Sequence, residues 1–162
     1  ESLMKLLQER IKTSKFGESI IIETAIRIMV PFIQLFGLYV IVHGHYSPGG
    51  GFQGGVILGA SFILIGLGYD FKTSVTRMQE KTNLILGNLG ALIYTGVALL
   101  CALMGGYFLD YSALNKLLPM GTIEWRSFGI FLVEVGVGLA VMSIMVSLFW
   151  DLCSGGDLDE GL

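Results

Sequence analysis

Four long apolar runs, each broken by few charges, constrain this chain more than any other feature. About 20 apolar residues cross a bilayer core as a helix, because without water each backbone polar group must be satisfied within the segment. The runs cover about Ile20 to Val42, Gly54 (or Phe52) to Tyr69, Leu84 to Phe108 and Ser127 to Trp150. With 53% of residues hydrophobic and 14% charged, the chain has too little polar surface to clothe a soluble domain. The pattern predicts an all-α membrane protein whose four transmembrane helices form one domain over residues 20–152. A formal charge of −3 without a clustered basic face argues against a nucleic-acid partner.

The flanks differ in character from the spans. In Ser2 to Lys15 the residues Leu3, Met4, Leu6, Leu7 and Ile11 fall near helical spacing among Lys5, Arg10, Lys12 and Lys15. Residues 1–19 therefore read as a cytoplasmic amphipathic segment with a short interfacial helix, or equally as a tail ordered against a partner. The first apolar run follows this polar stretch and is too long for a signal-peptide core, so it reads as a span. Residues 153–162 form an acidic, solvated tail with Asp157, Asp159 and Glu160. Cys101 and Cys153 stand at no metal-like spacing and read as free thiols, and no cofactor is expected.

Polar residues inside apolar runs are candidates for function, since lipid does not solvate them. Pro31 sits within the first span and removes a hydrogen bond to the carbonyl of Arg27, which predicts a kink there. Glu23, Arg27, Gln34 and Ile41 share a helical face that must point at protein. Gly55 and Gly59 form a G-x-x-x-G pair suited to close helix contact, and Asn88 in the third span reads as an interhelical hydrogen-bonding residue or an ion contact. Glu134 is the one carboxylate well inside a span, about 12 Å along the helix from Arg126. Its charge costs roughly 2.5–3.5 kcal/mol near mid-bilayer, so it faces protein or water. Both a structural hydrogen-bonded acid and a proton- or Na⁺-handling acid fit that position. Gly129, Gly136, Ala140, Ser143 and Ser147 form a small-residue stripe almost opposite Glu134, Gly138, Val141 and Met145. Two protein-seeking faces on the last helix of so small a protein predict contacts with partner subunits.

Between the first two spans lies His43-Gly44-His45-Tyr46-Ser47-Pro48-Gly49-Gly50-Gly51-Phe52-Gln53-Gly54-Gly55, which holds both histidines of the protein. Pro48 pushes Ser47 towards an extended conformation, while Gly49, Gly50 and Gly51 permit positive φ and close backbone approach. The lysine and Ser/Thr of a phosphate loop are missing, and His43 with His45 provide only two metal ligands, so no metal site is expected.

The string HGHYSPGGGFQGGVILGASFIL resembles the MnhB family of Mrp-type Na⁺/H⁺ antiporter components, with a looser similarity from about Ile20 to Phe149 that includes Gly129 to Gly138. The resemblance implies a small membrane subunit of a multisubunit antiporter, or of the antiporter-like module of a respiratory complex such as a membrane-bound hydrogenase. A protein of this kind scaffolds or lines an ion path in a prokaryotic cell membrane, beside other membrane subunits and in contact with Na⁺ and H⁺. It is not an enzyme by itself. Glu134, His43, His45, Glu23, Arg27 and Asn88 are the ion-pathway candidates. Pro48, Gly49, Gly50, Gly51, Gly54, Gly55, Gly59 and Gly136 are the bend and packing candidates. A self-contained homo-oligomeric channel is the alternative, and purification without partners would favour it.

Lys5, Arg10, Lys12 and Lys15 precede the first span and Lys72, Arg77 and Lys81 lie between the second and third, against Lys116 and Arg126 on the opposite side. The positive-inside bias puts both termini and the middle loop in the cytoplasm. Single cysteines at Thr73 and Ser112, in a background lacking Cys101 and Cys153, are expected to label from opposite sides of intact cells; labelling from the same side would refute the four-span topology.

Overall fold

The computed structural model describes residues 20–44, 49–69, 71–112 and 122–154. The expected interfacial helix, His45, Pro48 and the tail from residue 155 lie outside the described residues. Among the described residues five helices follow in order: α1 (Ile20–His43), α2 (Gly51–Gly68), α3 (Phe71–Arg77), α4 (Glu80–Leu103) and α5 (Thr122–Ser154). Four of them, all but α3, are long and apolar enough to cross a membrane.

The ends of these helices have local causes. α1 runs unbroken through Pro31. α4 begins at Glu80, whose carboxylate suits the positive end of the helix, after an extended Gln79. It stops at Leu103 rather than Phe108 because Gly105 takes a left-handed φ of 80°. The Gly105 N–H then donates to the Ala102 carbonyl and the Gly106 N–H to that of Cys101, the paired bonds of a Schellman cap. Helix α5 is 33 residues long, about 50 Å at 1.5 Å per residue, and outruns the ~30 Å hydrocarbon core.

Helix α3 is an element that hydropathy does not announce. It is pinned by polar bonds: Ser74, 1% exposed, accepts the Trp150 indole N–H at 3.2 Å and donates to the Phe62 carbonyl at 3.5 Å. The middle loop is thereby fastened to both α2 and α5.

The four long helices pack in the order α1, α2, α5, α4, so that neighbours in space are not all neighbours in sequence. Ile41, Leu58, Met142, Val146 and Trp150 form the main buried cluster, and Ile26, Val30 and Ile65 a second one between α1 and α2. What allows the close approach is glycine. On α2, Gly51, Gly55 and Gly59 recur every fourth residue towards α5, and a methyl at Gly55 would lie 2.6 Å from the Gly138 carbonyl oxygen. Gly54 faces the other way, where a methyl would lie 2.8 Å from the Gly37 oxygen on α1. Between α4 and α5, a methyl at Gly136 would lie 2.9 Å from the Gly90 oxygen.

These contacts change the ground of one sequence expectation, that of partner subunits. The face of α5 with Glu134, Gly138 and Met145 packs on α2, and the opposite stripe of Gly129, Gly136 and Ser143 packs on α4 and on Tyr111. Both faces are satisfied inside the chain, so they do not by themselves call for partner subunits. The reason is order: placing α2 rather than α4 next to the far side of α5 gives the last helix two intramolecular neighbours.

Gly136→Leu is expected to separate α4 from α5 and destabilise the chain by about 1–3 kcal/mol or more, the usual range for overpacking. Gly96→Leu is the matched control, because a Cβ there meets nothing within 4 Å. Thermal melts of the two variants in one detergent compare them directly, and equal midpoints would contradict the close α4–α5 crossing.

Candidate functional site

The intramembrane acid and the glycine-rich bend meet. Glu134 projects from the first half of α5 towards the end of α1 and the start of α2. A methyl at Gly44 would lie 2.5 Å from Glu134 Oε2 and 2.7 Å from Oε1, and one at Gly50 3.3 Å from Oε1. A methyl at Gly51 would collide with the Glu134 backbone carbonyl. The residue is half-buried and its Oε2 is buried.

The bend glycines are needed for a different reason from the one their composition suggests. Gly50, at the N-cap of α2, is extended with φ −164° and ψ −166°, a conformation open to any residue. Among the described residues the positive-φ positions are Gly105 and Leu109, so Gly49, Gly50 and Gly51 do not use the left-handed region. At Gly50 and Gly51 the role is the missing Cβ, which lets the main chain reach Glu134.

Electrostatics favours this placement. The first N–H groups of a helix lack intrahelical acceptors and carry partial positive charge. Helix α2 opens with the Gly54 N–H donating to the Gly50 carbonyl at 3.0 Å, and the Glu134 carboxylate lies beside that end. Its depth is unusual: along α5, Glu134 is about 12 Å from Arg126 and roughly 7 Å deeper than Gly129, where Tyr111 of the α4–α5 connection packs. The end of α1 and the start of α2 therefore meet α5 deeper along its length than Tyr111 does. Irregular backbone at membrane depth occurs where it is enclosed by protein or lines a water-filled cavity.

The other candidates fall elsewhere. His43 is exposed at the end of α1, stacks on Tyr39 with centroids 4.1 Å apart, and its Nδ1 approaches the Tyr39 carbonyl at 3.3 Å. Glu23 and Arg27 lie towards the opposite end of α1, with Arg27 and Gln34 lining a groove against α2 and α3. The Glu23 backbone carbonyl accepts the Tyr69 hydroxyl at 3.3 Å. Asn88 is not at the bend but on α4. Of the ion-pathway candidates, then, the structure unites Glu134 with the bend and leaves Glu23, Arg27 and Asn88 apart from it.

Among the described residues an interhelical amide is Asn83, whereas Asn88 is exposed on α4. Asn83 is fully buried and its Nδ2 donates to the Ser143 carbonyl at 3.0 Å and to Ser147 Oγ at 2.9 Å, while Ser143 Oγ donates back to the Asn83 carbonyl at 2.7 Å. Sequence reading missed it because Asn83 lies just before the apolar run taken to start at Leu84. The extra turn of α4 brings it into the bundle. Its partners Ser143 and Ser147 are visible in the sequence as part of the small-residue stripe.

Outside the spans, Asp110 is held below its usual carboxyl range, mainly by a hydrogen bond from the Ser112 hydroxyl. Burial pushes the Tyr111 phenol up, with smaller contributions from Cys101, Tyr94 and Glu134. Among the described residues no three His, Cys, Asp or Glu side chains converge as metal ligands.

Comparison with known proteins places these features in context. The profile of a family described as a domain related to the MnhB subunit of Na⁺/H⁺ antiporter matches residues 21–147. Proteins from Staphylococcus aureus strains Newman and JH1, carrying the name antiporter subunit mnhB2, are each 28% identical over 137 residues, covering 84% of this chain and 95% of theirs. The matched region contains the bend, Glu134 and the helix contacts around them.

Gly51→Ala is expected to disrupt the α2–α5 contact severely, because the methyl meets a backbone carbonyl that cannot rotate away. Gly50→Ala is expected to be mild, since its φ suits alanine and the 3.3 Å contact is with a side chain. Thermal midpoints in detergent rank the two, and a Gly50→Ala protein less stable than Gly51→Ala would reverse the assignment.

Proposed function

Since the chain belongs to the MnhB family, we propose that it is a membrane subunit of a multisubunit Na⁺/H⁺ antiporter in which Glu134 and the glycine-rich bend line part of an ion pathway. The antiporter-like module of a respiratory complex, such as a membrane-bound hydrogenase, is the same proposal in another assembly. The observation that carries the reading is the meeting of Glu134 with Gly44 at the end of α1 and Gly50 at the start of α2.

Three physical points support it. A carboxylate at this depth is costly unless protein or water solvates it. The start of α2 presents N–H groups without intrahelical acceptors, and their partial positive charge, to the carboxylate. The remaining requirement is access, and Glu134 is half-buried where α1 and α2 meet α5 rather than fully enclosed. A driving machinery supplied by other subunits would complete the transporter, with both termini of this chain in the cytoplasm.

A second reading has its own observation: the same glycines make Glu134 a latch that holds the start of α2 against α5. Glu134→Gln keeps size and hydrogen bonding, whereas Glu134→Ala keeps neither. For an ion-handling acid, both substitutions are expected to reduce antiport in membrane vesicles at least tenfold, with assembly of the Gln variant unchanged. A fully active Gln variant alongside an unassembled Ala variant would establish the latch and remove Glu134 from the ion path.

A further inference from the structure

At the opposite end of the α1–α2 pair from Glu134 lies a groove of about 310 Å³, lined by Arg27, Gln34, Tyr69 and Arg77 around an apolar floor that includes Val30 and Phe62. Three elements build it. Arg27 and Gln34 come from α1, Tyr69 follows α2, and Arg77 ends α3, which Ser74 fastens to α2 and α5. The volume is at the lower end of small-molecule sites, about 300–1,000 Å³.

Its charge is one-sided. Both charged lining residues are arginines, no lining residue is acidic, and neither arginine forms an ion pair with an acid among the described residues. Arg27 lies within a membrane-spanning helix, two turns from its start, where an unpaired guanidinium is costly. A planar guanidinium presents several donors in a fork that matches phosphate oxygens. The positive-inside distribution puts this end at the cytoplasmic leaflet, where anionic lipids are found and where basic pockets between spanning helices bind their headgroups.

We propose that this groove holds an anionic phospholipid of the cytoplasmic leaflet, with the phosphate between Arg27 and Arg77 and the first part of an acyl chain along Val30 and Phe62. The Tyr69 hydroxyl is already donated to the Glu23 carbonyl and Gln34 lies about 10 Å further along α1 than Arg27, so the two arginines carry the phosphate contact. The lipid neutralises the cation inside the first span and fills the gap between α1 and α3. It thereby couples the middle loop to α1, which no helix contact of comparable extent does. This assignment is independent of the role of Glu134, because it concerns other residues at the other end of the helices.

The test uses the full chain, with any accompanying subunits, in mild detergent, titrated with phosphatidylglycerol or phosphatidylcholine of identical acyl chains and followed by native mass spectrometry. Phosphatidylglycerol is expected to bind at least tenfold more tightly than phosphatidylcholine. The double variant Arg27→Gln/Arg77→Gln should lose that preference, Arg27→Lys/Arg77→Lys should keep part of it, and Lys81→Gln, a change of charge on exposed α4 outside the groove, should keep all of it. If the double glutamine variant does not fold, Arg77→Gln alone is the readout, with at least a threefold loss of preference expected. Unchanged preference in the folded glutamine variant overturns the proposal. So does full competition by inorganic phosphate at matched concentration, which would make the groove a free-anion site. Loss of accompanying subunits with lipid preference intact would assign the arginines to a partner's acidic side chain and likewise overturn it.

Discussion

The main-chain approach of α2 to α5 along Gly51, Gly55 and Gly59 underlies every other contact in the bundle. Lipid is as apolar as leucine, so burying apolar side chains does little to hold two membrane helices together. Close packing and interhelical hydrogen bonds have to supply the attraction. Removing side chains from one face of α2 brings its backbone against Gly138 and the Glu134 carbonyl. The remaining helices then attach to this pair, α1 through Gly54 and Gly37 and α4 through Gly90 and Gly136.

The same seams collect the buried polar groups. Ser61 turns its hydroxyl to the Leu58 carbonyl within α2, whereas Asn83 and Ser143 exchange hydrogen bonds between α4 and α5, and Ser74 links α3 to Trp150. Each such group would be costly if left facing hydrocarbon. Polar bonds towards one end and the Glu134 environment towards the other leave the middle of α5 to glycine and small residues. Packing and chemistry therefore share one helix: α5 carries the contacts that hold the fold and the acid that could work within it. A change at Gly51 perturbs both, which is why assembly and transport have to be measured separately in any variant at this seam.

Much of this was legible from the chain. The apolar runs announced four spanning helices, and Glu134 stood out because a carboxylate inside such a run needs protein or water around it. The His/Gly-rich connector stood out by composition, and the G-x-x-x-G pair by spacing. The end of α4 could also have been read from Gly105-Gly106, since a glycine pair after a helical run is what a Schellman cap requires. Helix α3 was hidden because its stability comes from bonds to residues 12 and 76 positions away rather than from its own short sequence.

Hydrophobic length and the absence of a Cβ are local properties, so the spans, the candidate acid and the supply of glycine all follow from the chain alone. Which helices meet does not. Side-chain periodicity tells that α5 has two faces seeking protein, but it carries no record of the order α1, α2, α5, α4 that covers both of them within the chain. That order is also what seats Glu134 against Gly44 and Gly50, residues about 84–90 positions earlier in the chain. It further turned the meaning of the bend glycines from conformational freedom to proximity, because φ at Gly50 is extended and the constraint is a neighbouring carboxylate supplied by another helix. Long-range packing selects among faces that local patterning leaves equivalent, and here that selection joins the bend to the acid.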